Sequence, residues 1–123
     1  MVYTAESRSL AALEVLVHSE DTRMLAAIRW ATIRVRIEDG LIEIPQSLPA
    51  DWRRLPAPAS TRDLGSRWVA EGRSAVLRVP SAVVEGEFNC LLNPRHPDFA
   101  RLEFAPPQSF SFDPRLGSSK RPS

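Results

Sequence analysis

An α+β fold, with one or two mixed, mostly antiparallel sheets and few helices, is what this sequence predicts. Three observations carry that reading. Only two stretches keep a helical pattern, Leu10 to Val17 and Thr61 to Glu71. Around them lie short apolar or alternating runs, too brief for helices and bounded by Gly, Pro, Asn or Asp. One boundary, Asp39-Gly40, has the chemistry of a tight hairpin.

Taken in order, Val2-Tyr3 reads as the end of a strand, and Ser7 or Ser9 as the cap of a first helix running to about His18. Its residues Leu10 to Val17 are apolar except Glu14, so apolar side chains cover every face and predict a helix buried all round. Ser19, Glu20 and Asp21 end it, and Thr22 to Ala27 fits either helix or coil. Ile33, Val35 and Ile37 alternate with Arg34, Arg36 and Glu38, a half-exposed strand whose arginines form a solvated face. Across the Asp39-Gly40 turn, Leu41 to Ile44 is the return strand. Pro45 to Ser60 holds four of the eleven prolines and is an irregular connection. A second helix, Thr61 to Glu71, has Ser60 or Thr61 as cap and Gly72 just past its end; Leu64, Trp68 and Val69 form its inner side. Gly65 within it costs about 1 kcal/mol relative to Ala, which close packing would justify. Strands follow at Ala75 to Val79 and Phe88 to Leu92, then a turn of helix over Pro97 to Ala100, and final strands at Arg101 to Phe104 and Phe110 to Phe112. Residues 1–116 form one domain in this scheme, and the polar tail 117–123 is expected to be disordered.

At 123 residues, 43% hydrophobic and 25% charged, the chain can bury a real core. A net charge of +1 gives no reason to expect nucleic acid or an anionic membrane as a partner. No apolar run is long enough to span a bilayer and no basic leader precedes Glu6, so a cytoplasmic protein is expected. The single cysteine, Cys90, sits in an apolar stretch and reads as a buried thiol. Two histidines and one cysteine make a protein-only metal site improbable, and none is expected.

Chemistry must therefore come from polar residues in apolar settings. Glu14 is the foremost. A carboxylate inside an apolar helix costs several kcal/mol unless it is paired or hydrogen-bonded, and His18 at i+4 projects from the same side. The pair reads equally well as an active-site acid and as a satisfied structural pair. Tyr3 lies at the strand end, and Ser81 follows Pro80, where a plain turn residue would also stand. Asn93-Pro94 starts a turn, and His96-Pro97 has the form of a cap; both are assigned structural roles.

Longer segments say more than spacing does. Val2-Tyr3-Thr4-Ala5-Glu6-Ser7 followed by Leu10-Ala11-Ala12-Leu13-Glu14 and His18 resembles the first block of RES-domain proteins. Leu48-Pro49-Ala50-Asp51-Trp52, Leu64-Gly65 with Trp68, and Val79-Pro80-Ser81-Ala82-Val83 resemble later blocks. Asn89 to Asn93 with Pro94, His96 and Pro97, then Phe112-Asp113-Pro114-Arg115-Leu116, complete the series in the family's order. The resemblance implies a fold like that of ADP-ribosylating toxins, and a toxin of a bacterial toxin–antitoxin pair with an Xre-type antitoxin as partner. It implies NAD as substrate, consumed by glycosidic cleavage, with water, phosphate or a protein side chain as acceptor. It implies Glu14 and Ser81 as catalytic residues, and Tyr3, Glu14 and Ser81 as the NAD-binding set. Homo-oligomers within the toxin–antitoxin complex are compatible with it. The family's arginine belongs to a Gly-Gly-Arg-Trp-Asn-like block ahead of the tyrosine, where this sequence has only Met1-Val2. An N-terminally truncated RES domain is therefore expected, and the competing reading is an inactive fragment that only binds an antitoxin.

Overall fold

The computed structural model describes residues 1–53 and 59–117. Its elements are β1 (Val2–Ala5), α1 (Arg8–His18), β2 (Trp30–Thr32), β3 (Val35–Arg36), β4 (Ile42–Glu43), α2 (Ala59–Glu71), β5 (Val76–Pro80), β6 (Phe88–Leu92), β7 (Glu103–Phe104) and β8 (Gln108–Phe110). Short 3-10 turns lie at Thr22–Ala27, Asp39–Leu41, Pro97–Arg101 and Pro114–Gly117. The predicted class holds: few helices, and mixed, mostly antiparallel sheets. The main sheet has the order β1-β6-β5-β4, antiparallel except for the parallel β4–β5 pair. Two ribbons, β2–β8 and β3–β7, are antiparallel.

Strand alternation divides the main sheet's contacts. On one face Leu77 and Leu91 pack with the fully buried Trp68 of α2, joined by Val69 and Val79. The Trp68 indole N–H donates to Ser74 Oγ at 2.8 Å, and that hydroxyl donates to Glu43 Oε1 at 3.0 Å, so the ring buries no unpaired donor. Gly65 brings α2 close: a Cβ there would meet the Met1 thioether at 3.3 Å and Leu91 at 3.8 Å. Past the helix, Gly72 takes φ +61° and its N–H bonds the Trp68 carbonyl, the termination predicted for it. The second core joins Val76 and Leu92 to Leu41, Ala75 and Leu102, with Val35, Ile37, Ile42, Cys90 and Phe99 against it. Each fully buried Leu or Val here contributes about 1.5–3 kcal/mol.

Several expectations are corrected. The Asp39-Gly40 hairpin does not form. Gly40 does not take the positive φ that a two-residue hairpin requires, and residues 39–41 wind into a 3-10 turn that buries Leu41. β3 therefore pairs with β7, while β4 joins β5 in parallel. Helix α1 is not buried all round: Leu10 and Glu14 are buried, whereas Leu13 and Val17 are 41% and 47% exposed, because only one side of the helix is covered. Cys90 is half-buried rather than buried. The last strand is Gln108–Phe110, two residues earlier than predicted, and β2 was not anticipated. Helix α2 starts at Ala59, so Ser60 and Thr61 lie inside it, with side chains outside the described residues. Part of the proline-rich connection (54–58) and most of the tail (118–123) also lie outside them. Among the described residues, no helix is long and apolar enough to cross a membrane.

Candidate active site around Glu14

Ser7, rather than Ser9, caps α1: its Oγ accepts from the Leu10 N–H at 3.0 Å. The capped helix packs on β1 and turns Glu14 inward until it is 7% exposed. Sixty-seven residues later the chain leaves β5 at Ser81, which is 1% exposed. The Ser81 N–H donates to the Glu87 carbonyl at 2.7 Å, which holds the backbone beyond the strand. Its hydroxyl donates to Glu14 Oε1 at 3.3 Å and accepts from the N–H groups of Val83 at 3.0 Å and Val84 at 3.1 Å. A serine hydroxyl has one proton and two lone pairs, so those three bonds use all of its capacity. Ser81 thus fixes one oxygen of Glu14. The other, Oε2, lies 3.6 Å from Nε2 of His18, whose side chain is largely exposed.

Tyr3 lies on β1, the strand that α1 packs against, and feels the charge of the same carboxylate. Its hydroxyl is pushed up to about 12, first by burial and then by the negative charge of Glu14, even though the residue as a whole is 55% exposed. The phenol consequently stays protonated, a donor, across the working range of an enzyme. Glu14 and Ser81 are thus joined across 67 residues, with Tyr3 within electrostatic reach of their carboxylate.

Asn89, which spacing did not single out, belongs to the same neighbourhood. It pairs with Ala5 on one side and Val79 on the other, so it is diagonal to Tyr3 and two register positions from the Ser81–Glu87 bond, with the Pro80–Phe88 pair between. It is 0% exposed; its Nδ2 donates to the Thr4 carbonyl at 3.2 Å, and its Oδ1 is buried with no partner among the described residues. A polar residue inside the apolar run Phe88 to Leu92 is the signal that could have marked it, the same signal that marks Glu14.

Other candidates stand apart. Asn93 accepts from the Arg95 N–H at 3.1 Å and donates to the Val69 carbonyl at 3.4 Å. His96 caps the turn at Pro97, its Nδ1 accepting from the Asp98 N–H at 3.0 Å. Arg34 and Arg36 are exposed. Burial pushes the Cys90 thiol up, partly countered by the Arg78 guanidinium and reinforced by Glu6. A cavity of about 420 Å³ lies elsewhere, between residues 26–30 and 109–111, and of the residues lining it only Arg29 is charged. Among the described residues, no three His, Cys, Asp or Glu side chains gather where they could hold a metal ion.

This geometry can be set beside known proteins. A protein of Yersinia enterocolitica named Toxin Res is 46% identical over 118 residues, covering 94% of this chain and 76% of that one. Another Toxin Res, from Photorhabdus laumondii, is 39% identical over 124 residues, covering 98% and 78%. A Sphingobium protein named Prs ADP-ribosylating toxin is 32% identical over 121 residues, covering 94% and 74%. The family model described as RES domain matches residues 1–113, and the chain belongs to the RES-domain family.

Proposed function

We propose that this protein is a toxin that consumes NAD by cleaving the nicotinamide N-glycosidic bond, with Glu14 as the acting group. The observation that carries the reading is a carboxylate buried in an apolar helix and held by the saturated hydroxyl of Ser81. Loss of nicotinamide develops oxocarbenium character on the ribose, as glycoside hydrolysis does. A fixed carboxylate stabilises that positive charge where it appears and orients the ribose hydroxyls. Ser81 holds Oε1, which leaves Oε2 facing the substrate side together with His18. Tyr3, protonated and with its ring partly open, stacks on or donates to the nicotinamide end.

The acceptor is water, phosphate or a protein side chain. The name of the Sphingobium relative, an ADP-ribosylating toxin, favours transfer to a protein as the second reading. In either form the protein works inside a bacterial cell with an Xre-type antitoxin as its neutralising partner. The test is loss of NAD, followed by chromatography, for the purified chain beside its Glu14→Ala variant. Loss that disappears in Glu14→Ala supports the reading, and the products name the acceptor. Undiminished loss in Glu14→Ala refutes it.

A further inference from the structure

We propose that Asn89 is a further substrate-binding residue of this site, its side-chain oxygen accepting a hydrogen bond from the carboxamide N–H of nicotinamide. The proposal rests on the NAD reading above and goes beyond it by assigning the group that recognises the departing base. Asn93, just past the end of β6, is a control for Asn89. Both are almost completely buried. Asn93 uses both ends of its amide within the protein, giving to the Val69 carbonyl and taking from the Arg95 N–H. Asn89 uses one end only: Nδ2 bonds the Thr4 carbonyl, and Oδ1 has no partner among the described residues.

The orientation of that amide is settled by chemistry. The Thr4 carbonyl can only accept, so the nitrogen must face it and the oxygen must face away. A buried acceptor left unmatched costs free energy that a structural asparagine, such as Asn93, does not incur. Its position decides what fills it. Asn89 shares a sheet face with Tyr3, and it lies two register positions from the residue pair that holds Ser81 and through it Glu14.

The group arriving there must bring a donor, because Glu14 and Asn89 Oδ1 both accept. Because Asn89 is 0% exposed, that group reaches Oδ1 only by displacing what covers it, which costs an uncharged group less than a charged one. The charged diphosphate satisfies neither condition. The ribose hydroxyls, which also donate, are taken by Glu14 in the reading above, and the carboxamide of a nicotinamide ring against Tyr3 is the donor left to match Asn89 Oδ1.

The experiment compares turnover of NAD with that of an analogue carrying an acetyl group in place of the carboxamide, which lacks the N–H. The readout is the ratio of the two kcat/KM values. Any loss of folded protein cancels in that ratio, so a weakened β1 contact cannot mimic the effect. Asn89→Ala and Asn89→Ser are both tested, the serine keeping a short donor for the Thr4 carbonyl. The expected result is a ratio about five- to tenfold lower in both variants than in the parent, the worth of one neutral hydrogen bond. An unchanged ratio, with both dinucleotides slowed equally, overturns the proposal and leaves the NAD reading standing. Failure of the parent chain to consume either dinucleotide refutes both together.

Discussion

Replacing Ser81 by alanine separates a residue that touches substrate from one that holds another residue in place. The substitution removes a single oxygen from a position that is 1% exposed, so packing is otherwise kept. Three hydrogen bonds disappear with it: the one given to Glu14 and the two received from Val83 and Val84. At about 1 kcal/mol each, with more for the bond to a carboxylate, the loss comes to about 3–4 kcal/mol. For a domain of this size that lowers Tm by roughly 12–16 °C. Glu14 remains but loses the hydroxyl that fixes Oε1, and a misplacement of about 1 Å costs on the order of 100-fold in rate. The assay is thermal unfolding together with steady-state NAD consumption at a temperature where the variant is folded. The expected result is a kcat lowered by about 10- to 100-fold with KM nearly unchanged. In a Glu14→Ala background the same substitution should remove no further activity, because the two residues act as one unit. A KM raised tenfold at unchanged kcat would refute the reasoning, since it would place the hydroxyl on the substrate. A Tm drop of only a degree or two would refute it as well.

Two more outcomes follow from the same coordinates. Tyr3 is the only tyrosine in the chain, so its ionisation can be followed by absorbance without assignment. Its midpoint should lie near 12, and most of the rise should survive Glu14→Gln because burial is the larger cause; a midpoint at about 10 would show a freely solvated phenol. The sign for stability is fixed by the raised value: the contribution is whole below about pH 10 and is lost as pH climbs through 12. Gly65→Ala should raise stability by about 0.5–1 kcal/mol, since helix propensity favours Ala. The Cβ would press only the flexible, mostly exposed Met1 side chain at 3.3 Å, so a loss of stability in thermal unfolding would mean Met1 cannot yield.

What was legible in the sequence depended on the length over which a signal is averaged. Helix α1, helix α2 and strands β5 and β6 each carry several residues of consistent pattern, and they appear near their predicted places. Strands of two residues carry almost none. Val35–Arg36 and Ile42–Glu43 looked like the two arms of one hairpin, but Gly40 lacks the positive φ of that turn and the two strands pair with different partners. The exposure of Leu13 and Val17 was illegible for a related reason: composition shows that a helix could be buried on every side, but coverage is decided by what packs against it.

The site was legible at Glu14 because a carboxylate in an apolar run breaks the rule that local pattern and global fold agree, and such breaks collect where function is. Ser81 carried no comparable mark. A serine after Pro80 is ordinary, and its bond to Glu14 spans 67 residues. Asn89 shows the limit of the pattern argument most sharply. It interrupts an apolar strand as Glu14 interrupts an apolar helix, and Asn93 stands just past the end of the same strand. Polarity cannot tell the two asparagines apart, nor can burial. Only the count of bonds does. Asn93 has both ends of its amide matched, Ser81 has every bond its hydroxyl can make, and Asn89 alone keeps an oxygen in reserve. A protein that matches every bond of Ser81 behind the carboxylate and of Asn93 away from it, yet leaves an acceptor of Asn89 unmatched among its described residues, has an acceptor that calls for a donor from outside its own chain.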